Sequence, residues 1–334
     1  MRRFKIGIIG AGAIVETNHL PALGVLPQAE LGWIYDKNPG RAGLVSKMYG
    51  IPALGGGSVE DGLSQVDVCL VATPYGVRKP YITACKTAGK ALVVEKPFAF
   101  SRQEHLDYCQ GFQDWQIGVN LQRRFYRSVA TLRNIVQLQL FGKLREVRFA
   151  QGNFSLKGGS GYLSDTALSG GGVIAESAIH SLDIILWITG ALEVSVTSMR
   201  SLHTGLLDYD SVFDSEIVSP SGPIPVHCEI STLRNLDNGI ECRFEHAVVL
   251  CDLSPEGRIF VRAKDSGGLD FLIAAEAPPA EGPLGAKKIN EAFLMFWRQF
   301  LSGLDNNTPN LTSASGSLLT SAWIEGIYKN MNRV

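Results

Sequence analysis

The sequence lacks any excess of charge, any paired cysteine motif and any long apolar run. Charged residues make up 19% of its 334 positions, with 31 Lys+Arg against 32 Asp+Glu and a formal net charge of −1. Near-neutrality removes a global attraction to nucleic acid or to an acidic membrane surface, so neither is expected as a partner. The six cysteines (Cys69, Cys85, Cys109, Cys228, Cys242 and Cys251) include no C-x-x-C pair, and several sit among apolar neighbours, as buried free thiols do. A cytoplasmic protein with reduced cysteines is the simplest reading. No apolar run approaches the ~20 residues of a membrane helix. Arg2-Arg3 leads straight into Ile6-Gly7-Ile8-Ile9, without the separate apolar segment and cleavage site of an export signal. No internal repeat is visible, and no His/Cys/Asp cluster suggests a metal.

What the chain does have is length, an apolar share of 45% and 36 glycines. Length predicts about two domains, because single cores stop growing at roughly 250–300 residues. The first part alternates short apolar strands with helical patterns. Strands are expected at 5–9, 31–35, 66–72, 91–94 and 117–120, with a helix over 81–88 ending at Gly89. Such alternation favours a parallel sheet covered by helices, hence an α/β domain over 1–121. After that the pattern changes to α+β over 122–334. A helix is expected at 123–140, a long strand at 144–154, a glycine-rich loop at 158–172 and a helix at 176–188. From 194 to 274 strands follow one another, and Ile240, Cys242 and Phe244 alternate with charged residues, marking a mostly antiparallel open sheet with one solvated face. Ile289, Ala292, Phe293, Phe296, Trp297, Phe300 and Leu301 follow helical spacing, read as core packing; the terminal helices are allowed to pack back on the first domain.

Gly10-Ala11-Gly12-Ala13-Ile14-Val15 follows a strand and opens a helix. This is the dinucleotide-binding turn, with its third glycine position taken by a larger residue. Gly10 permits the tight turn and Gly12 the close approach of a pyrophosphate, while Ala13 and Ile14 begin a helix whose N-terminus favours an anion. Asp36 ends the second strand, where a carboxylate can accept from both adenine-ribose hydroxyls and repel the extra phosphate of NADP. NAD is therefore the expected cofactor, with NADP left open because Lys37 can screen a 2′-phosphate. Thr73 and Pro74 end a later strand on the same edge. His19, on the first helix, is read as a packing or capping residue.

Gly89-Lys90-Ala91-Leu92-Val93-Val94-Glu95-Lys96-Pro97 resembles the G-K-h-V-x-x-E-K-P segment of the glucose–fructose oxidoreductase/inositol dehydrogenase (Gfo/Idh/MocA) family. The run from Gly170 to Asp183 is similar to that family's G-G-G-x-x-x-D-x-G-x-H-x-x-D helix, and Asn18–Leu23 and Arg124-Phe125 agree with weaker positions. The resemblance covers nearly the whole chain. It implies a Rossmann domain followed by an open-sheet domain whose face serves in oligomer contacts, here a dimer or tetramer. It also implies hydride exchange between a nicotinamide and a carbon bearing a hydroxyl or carbonyl, on a sugar, cyclitol or related polyol.

Residue chemistry agrees with that expectation. His180 is the candidate proton acceptor, since neutral imidazole takes protons near neutral pH. Glu176 lies four residues earlier and is expected to orient it or stabilise the imidazolium. Lys96 resembles the family's active-site lysine, which bonds the reacting oxygen. Glu95 and Pro97 are read as shaping that turn, with Glu95 also counted on the cofactor side. Asp183, Tyr162 and Asp165 are further candidates for substrate contact. Arg124, with Arg123 and Arg127, either meets a phosphate or carboxylate on the substrate or forms salt bridges at the domain junction. Three departures stand out: Glu176 where the family has Asp, Ala178 where it has Gly, and Pro74-Tyr75-Gly76-Val77-Arg78 where many members have P-N-x-x-H. Ala178 reads as a packing variation, while Glu176 and Arg78 keep a nucleotide-sensing regulatory protein in view beside the sugar or cyclitol dehydrogenase; a dihydrodiol or imine reductase is a third alternative.

Overall fold

The computed structural model describes residues 2–55, 58–154, 161–253, 257–264, 270–274 and 290–331. These form two compact units. The first holds residues up to 99, 103–122 and 290–317; the second holds 100–102, 123–274 and 318–331.

The first unit is built on a five-stranded sheet: β1 (Phe4–Ile9), β2 (Ala29–Tyr35), β3 (Val68–Val71), β4 (Ala91–Val94) and β5 (Ile117–Val119). Their order is β2-β1-β3-β4-β5 and every pair is parallel. Every residue of β3 and β4 is buried, which is why these strands read as unbroken apolar runs. Helix Pro39–Tyr49 was not foreseen. It buries only Ala42 and Val45, so its apolar pattern is faint; its true signal is the cap, where Asn38 accepts from Gly40 N and Arg41 N ahead of Pro39. Helix Glu291–Asn306 buries Phe293, Phe296, Trp297, Phe300 and Leu301 to 1% exposure or less, as core packing requires. Each such side chain contributes roughly 1.5–3 kcal/mol. Helix Glu291–Asn306 belongs to this unit, whereas Leu318–Met331 belongs to the second.

His105 is buried in the first unit, with Nε2 2.8 Å from the carbonyl oxygen of Ala314. Burial lowers its pKa from 6.5 to about 4, outweighing that carbonyl and the charge of Glu104. Below pH 6.5 the unfolded chain takes up a proton that the folded chain refuses, so this stability is complete above pH 6.5 and drains away towards pH 4. The loss should reach about 3 kcal/mol. The protection of β4 and β5 in hydrogen exchange, corrected for the intrinsic rates at each pH, should differ less between pH 7.5 and pH 4.5 in His105→Gln than in the parent; an identical pH dependence in both would refute the assignment.

The second unit carries β6 (Leu144–Gly152), β7 (Glu193–Thr204), β8 (Leu207–Ser219), β9 (Gly222–Ser231), β10 (Gly239–Phe244), β11 (Ala247–Cys251), β12 (Arg258–Ala263) and β13 (Asp270–Ala274). They lie in the order β13-β12-β11-β10-β6-β9-β8-β7. Only β6 and β9 pair in parallel; the other neighbours are antiparallel. Ile240, Cys242 and Phe244 are buried while the residues between them are half-buried, the alternation of a sheet covered on one face. Helices Arg127–Gln137, Ile179–Thr189 and Leu318–Met331 belong to this unit, and Trp323 Nε1 on the last donates to Ser215 Oγ of β8 at 3.0 Å.

Three expectations change here. The single helix expected over 123–140 is a short turn, Gln122–Phe125, then extended Tyr126, then helix Arg127–Gln137. The loop expected over 158–172 contains a turn at Gly161–Ser164 and one helical turn at Thr166–Ser169, while its start lies outside the described residues. Thr166–Thr189, moreover, is long and apolar enough to pass for a membrane span by composition; 78% of its most apolar stretch is buried inside the protein, as in a core helix.

Candidate active site

In the first unit the carboxyl ends of β1 and β2 converge on the glycine turn. Gly10 has φ +103° and donates its N–H to Tyr35 O at 2.8 Å. A Cβ there would lie 2.6 Å from Ala72 O, so only glycine lets the end of β1 pass this close to the end of β3. At Gly12 a Cβ would meet nothing within 4 Å, which leaves open room beside the start of the helix. Ala13 and Ile14 open that helix, and Val15 N and Glu16 N donate to Gly12 O. Asp36 accepts from Ala11 N and Asn38 N, both at 2.8 Å. Arg41, which sequence reasoning missed, donates from Nε to Ala11 O at 2.7 Å and from Nη2 to Glu16 at 2.7 Å. The Ala11 backbone is thus gripped by a carboxylate at its N–H and a guanidinium at its carbonyl. A rigid turn, open space at Gly12, a helix N-terminus and a carboxylate at the end of β2 fit a dinucleotide. Lys37 is exposed beside Asp36, and Thr73 and Pro74 follow β3.

The end of β4 runs into Glu95-Lys96-Pro97, with the Lys96–Pro97 bond cis. Glu95, read both as shaping this turn and as lying on the cofactor side, is held within the turn. Its buried carboxylate accepts from His19 Nε2 at 2.8 Å, Asn120 Nδ2 at 2.6 Å and Lys96 N at 3.1 Å. Trp297 Nε1 donates to His19 Nδ1 at 2.9 Å, so Nδ1 bears the lone pair and Nε2 carries the proton that it gives to Glu95. Burial works to raise the Glu95 pKa, but the hydrogen bond from His19, the charge of Lys96 and the Asn120 bond together leave it below the usual carboxylate value. His19 is therefore more than packing. Its signal in the sequence was only its type, since Trp297 and Asn120 lie far along the chain.

In the second unit, β8 supplies an unforeseen anchor for the Gly170–Gly172 run. Asp208, 1% exposed, accepts from Gly172 N at 3.0 Å, Ile174 N at 2.9 Å and the Tyr328 hydroxyl at 2.8 Å. Burial pushes its pKa up in spite of these bonds. A Cβ on Gly172 would sit 2.2 Å from Asp208 O, which explains the glycine. The segment Ile174–Ala178 is a π turn that passes into helix Ile179–Thr189. A π turn closes over five residues instead of four, so the α-helical spacing that put Glu176 and His180 on one face does not carry over unchanged. Ser177 Oγ donates to the Glu176 carboxylate, and His180 is buried.

Arg124 and Asp183, each read either as a substrate contact or as a structural group, pair with each other. Arg124 Nε and Nη2 donate to the two Asp183 oxygens at 2.7 and 2.6 Å, with both side chains at most 4% exposed, and Thr320 Oγ1 adds a bond at 2.9 Å. Asp165 accepts from Ala167 N as the cap of the Thr166–Ser169 turn, and Tyr162 is exposed. Lys96 belongs to the first unit and His180 to the second. Among the described residues no group of three His, Cys, Asp or Glu side chains is placed to hold a metal.

Comparison with known proteins follows the same division. Residues 4–114 match the family model described as "Oxidoreductase family, NAD-binding Rossmann fold", and residues 129–252 match the "GFO/IDH/MocA C-terminal domain". Inositol 2-dehydrogenase of Corynebacterium glutamicum (strain R) is 26% identical over 202 residues, 58% of this chain and 57% of that protein. Among solved structures, levoglucosan dehydrogenase in complex with NADH and L-sorbose aligns at TM-score 0.83 and 15% identity, covering 100% of this chain and 98% of that one. Aldose-aldose oxidoreductase from Caulobacter crescentus aligns at 0.82 and 18%, covering 99% and 98%. At these identities the structures establish the shared fold.

Proposed function

The chain belongs to the Gfo/Idh/MocA oxidoreductase family, and on that premise we propose that it is an NAD-dependent dehydrogenase of a sugar, cyclitol or related polyol. One observation carries this reading. The glycine turn, Asp36 and the Lys96 turn occupy the carboxyl ends of strands in a single parallel sheet, where folds of this kind hold a dinucleotide and its reacting partner. NAD, when bound, supplies the hydride acceptor. Gly10 and Gly12 let the backbone approach the pyrophosphate, and Asp36 accepts from the adenine ribose. Lys96 donates a hydrogen bond to the reacting oxygen, and its half-buried position strengthens that bond. His180 takes the hydroxyl proton, with Glu176 in support. The substrate is neutral and sugar-like, in keeping with relatives named for inositol, and the eight-stranded sheet is the assigned face for a homo-oligomer. Six free cysteines suit a reducing, cytoplasmic compartment.

The test is turnover of an inositol, aldose and alditol panel with NAD and with NADP, followed at the nicotinamide absorbance. Cofactor binding without turnover of any member would overturn the enzyme reading in favour of a nucleotide sensor. Cofactor choice gives a separate prediction. Asp36→Ala should raise the NADP/NAD ratio of kcat/KM by about 10- to 100-fold, since it removes a repulsion worth roughly 1.4–3 kcal/mol and leaves Lys37 and Arg41 beside the 2′ position. An unchanged ratio would remove Asp36 from the ribose.

A further inference from the structure

We propose that Arg78 is a positioning residue that fixes the backbone of Lys96, a deeper claim resting on the dehydrogenase reading above. Arg78 is 2% exposed. Its Nη1 donates to the carbonyl oxygens of Glu95 and Pro97, and Nη2 donates to Thr73 O at 2.8 Å. The first two carbonyls flank Lys96 on either side; the third ends the loop after β3. One planar guanidinium therefore ties two loops of the sheet edge together and straddles the lysine. Its requirements are specific. Three carbonyls must be met by N–H groups in one plane, which an imidazole with at most two N–H groups cannot supply and an ammonium meets only as a point donor. The carbonyls in turn offset the cost of burying the cation. Because the Glu95 carboxylate also accepts from Lys96 N, the backbone around Lys96 is held at three points. Pre-set geometry of this kind adds to rate without adding to substrate affinity. The residue stands where the sequence departs from the P-N-x-x-H pattern.

The test uses the full chain with Arg78→Gln and, should that variant fold poorly, Arg78→Lys, which keeps the cation. Expected is a kcat lower by about 10- to 100-fold per folded molecule, with KM and the NAD dissociation constant within about threefold of the parent. In a Lys96→Met background the same substitution should cost little more, because Arg78 acts through Lys96. An equal loss with and without Lys96, or a lower melting temperature with unchanged kcat, overturns the proposal. A second arm needs no turnover. Lysines are reductively methylated with ¹³C and the Lys96 signal is assigned by its loss in Lys96→Arg. That signal, and its response to NAD, should shift in Arg78→Gln; an unmoved signal overturns the proposal. If the parent turns over no polyol, the functional reading fails while this arm still decides the role of Arg78.

Discussion

Lys96→Met is expected to lower kcat by about 10²- to 10⁴-fold, the range usual for loss of a positioned proton or hydrogen-bond donor. Methionine keeps most of the aliphatic length, so the Glu95-Lys96-Pro97 turn and its bonds to His19, Asn120 and Arg78 should persist. NAD affinity is then expected within about threefold of the parent, since the glycine turn and Asp36 are untouched. The effect belongs in kcat because the ammonium bonds most strongly to the oxygen as it gains charge. His180→Asn offers a contrast. It removes a proton acceptor and keeps an amide, so its defect should shrink as pH rises and hydroxide supplies the base, whereas that of Lys96→Met should not shrink in this way. Steady-state rates from pH 6 to pH 10, with cofactor affinity measured by fluorescence, separate the two. A Lys96→Met enzyme within threefold of the parent kcat would remove the lysine from the chemistry.

What the sequence made legible is local. The glycine turn, the buried strands and the alternating sheet announce themselves through spacing over a few residues, and the structure has them at those places. The support around the site is non-local. Glu95 looks like one more motif residue until His19, Asn120 and Trp297, 76, 25 and 202 positions away, are seen around it or one bond beyond. Asp208 carries no pattern of its own; only folding brings a β8 carboxylate to the start of the helix bearing His180. Arg41 and helix Pro39–Tyr49 were missed for a different reason. The helix buries too little apolar surface to show periodicity, so its evidence was the Asn38-Pro39 cap, which also reads as a turn. The π turn at Ile174–Ala178 is a backbone choice that spacing does not specify, and it altered the geometric argument linking Glu176 to His180.

Arg124 and Asp183 give the largest expected change in stability. Either Arg124→Met or Asp183→Leu leaves a charge buried without its bidentate partner, in surroundings where the Arg124 and Asp183 side chains are 4% and 1% exposed. Breaking such a pair should cost about 3–5 kcal/mol, whereas replacing both members should cost much less, because the double variant buries no unpaired charge. Thr320 Oγ1 bonds Asp183 in the parent, so Arg124→Met retains one partner for the carboxylate and should be the milder single change. The guanidinium also lies 5.8 Å from the Trp187 ring centre, a contact that Asp183→Leu keeps. Two compact units make a single unfolding midpoint a poor measure, so the readout is hydrogen exchange of helix Ile179–Thr189, which belongs to the affected unit. The same experiment decides between the two roles that the sequence allowed for Arg124. A substrate-binding arginine would raise KM and leave exchange unchanged. An ion pair at the base of the His180 helix should speed exchange in both single variants and restore protection in the double variant, and additive losses would show that the pair does not act as a unit.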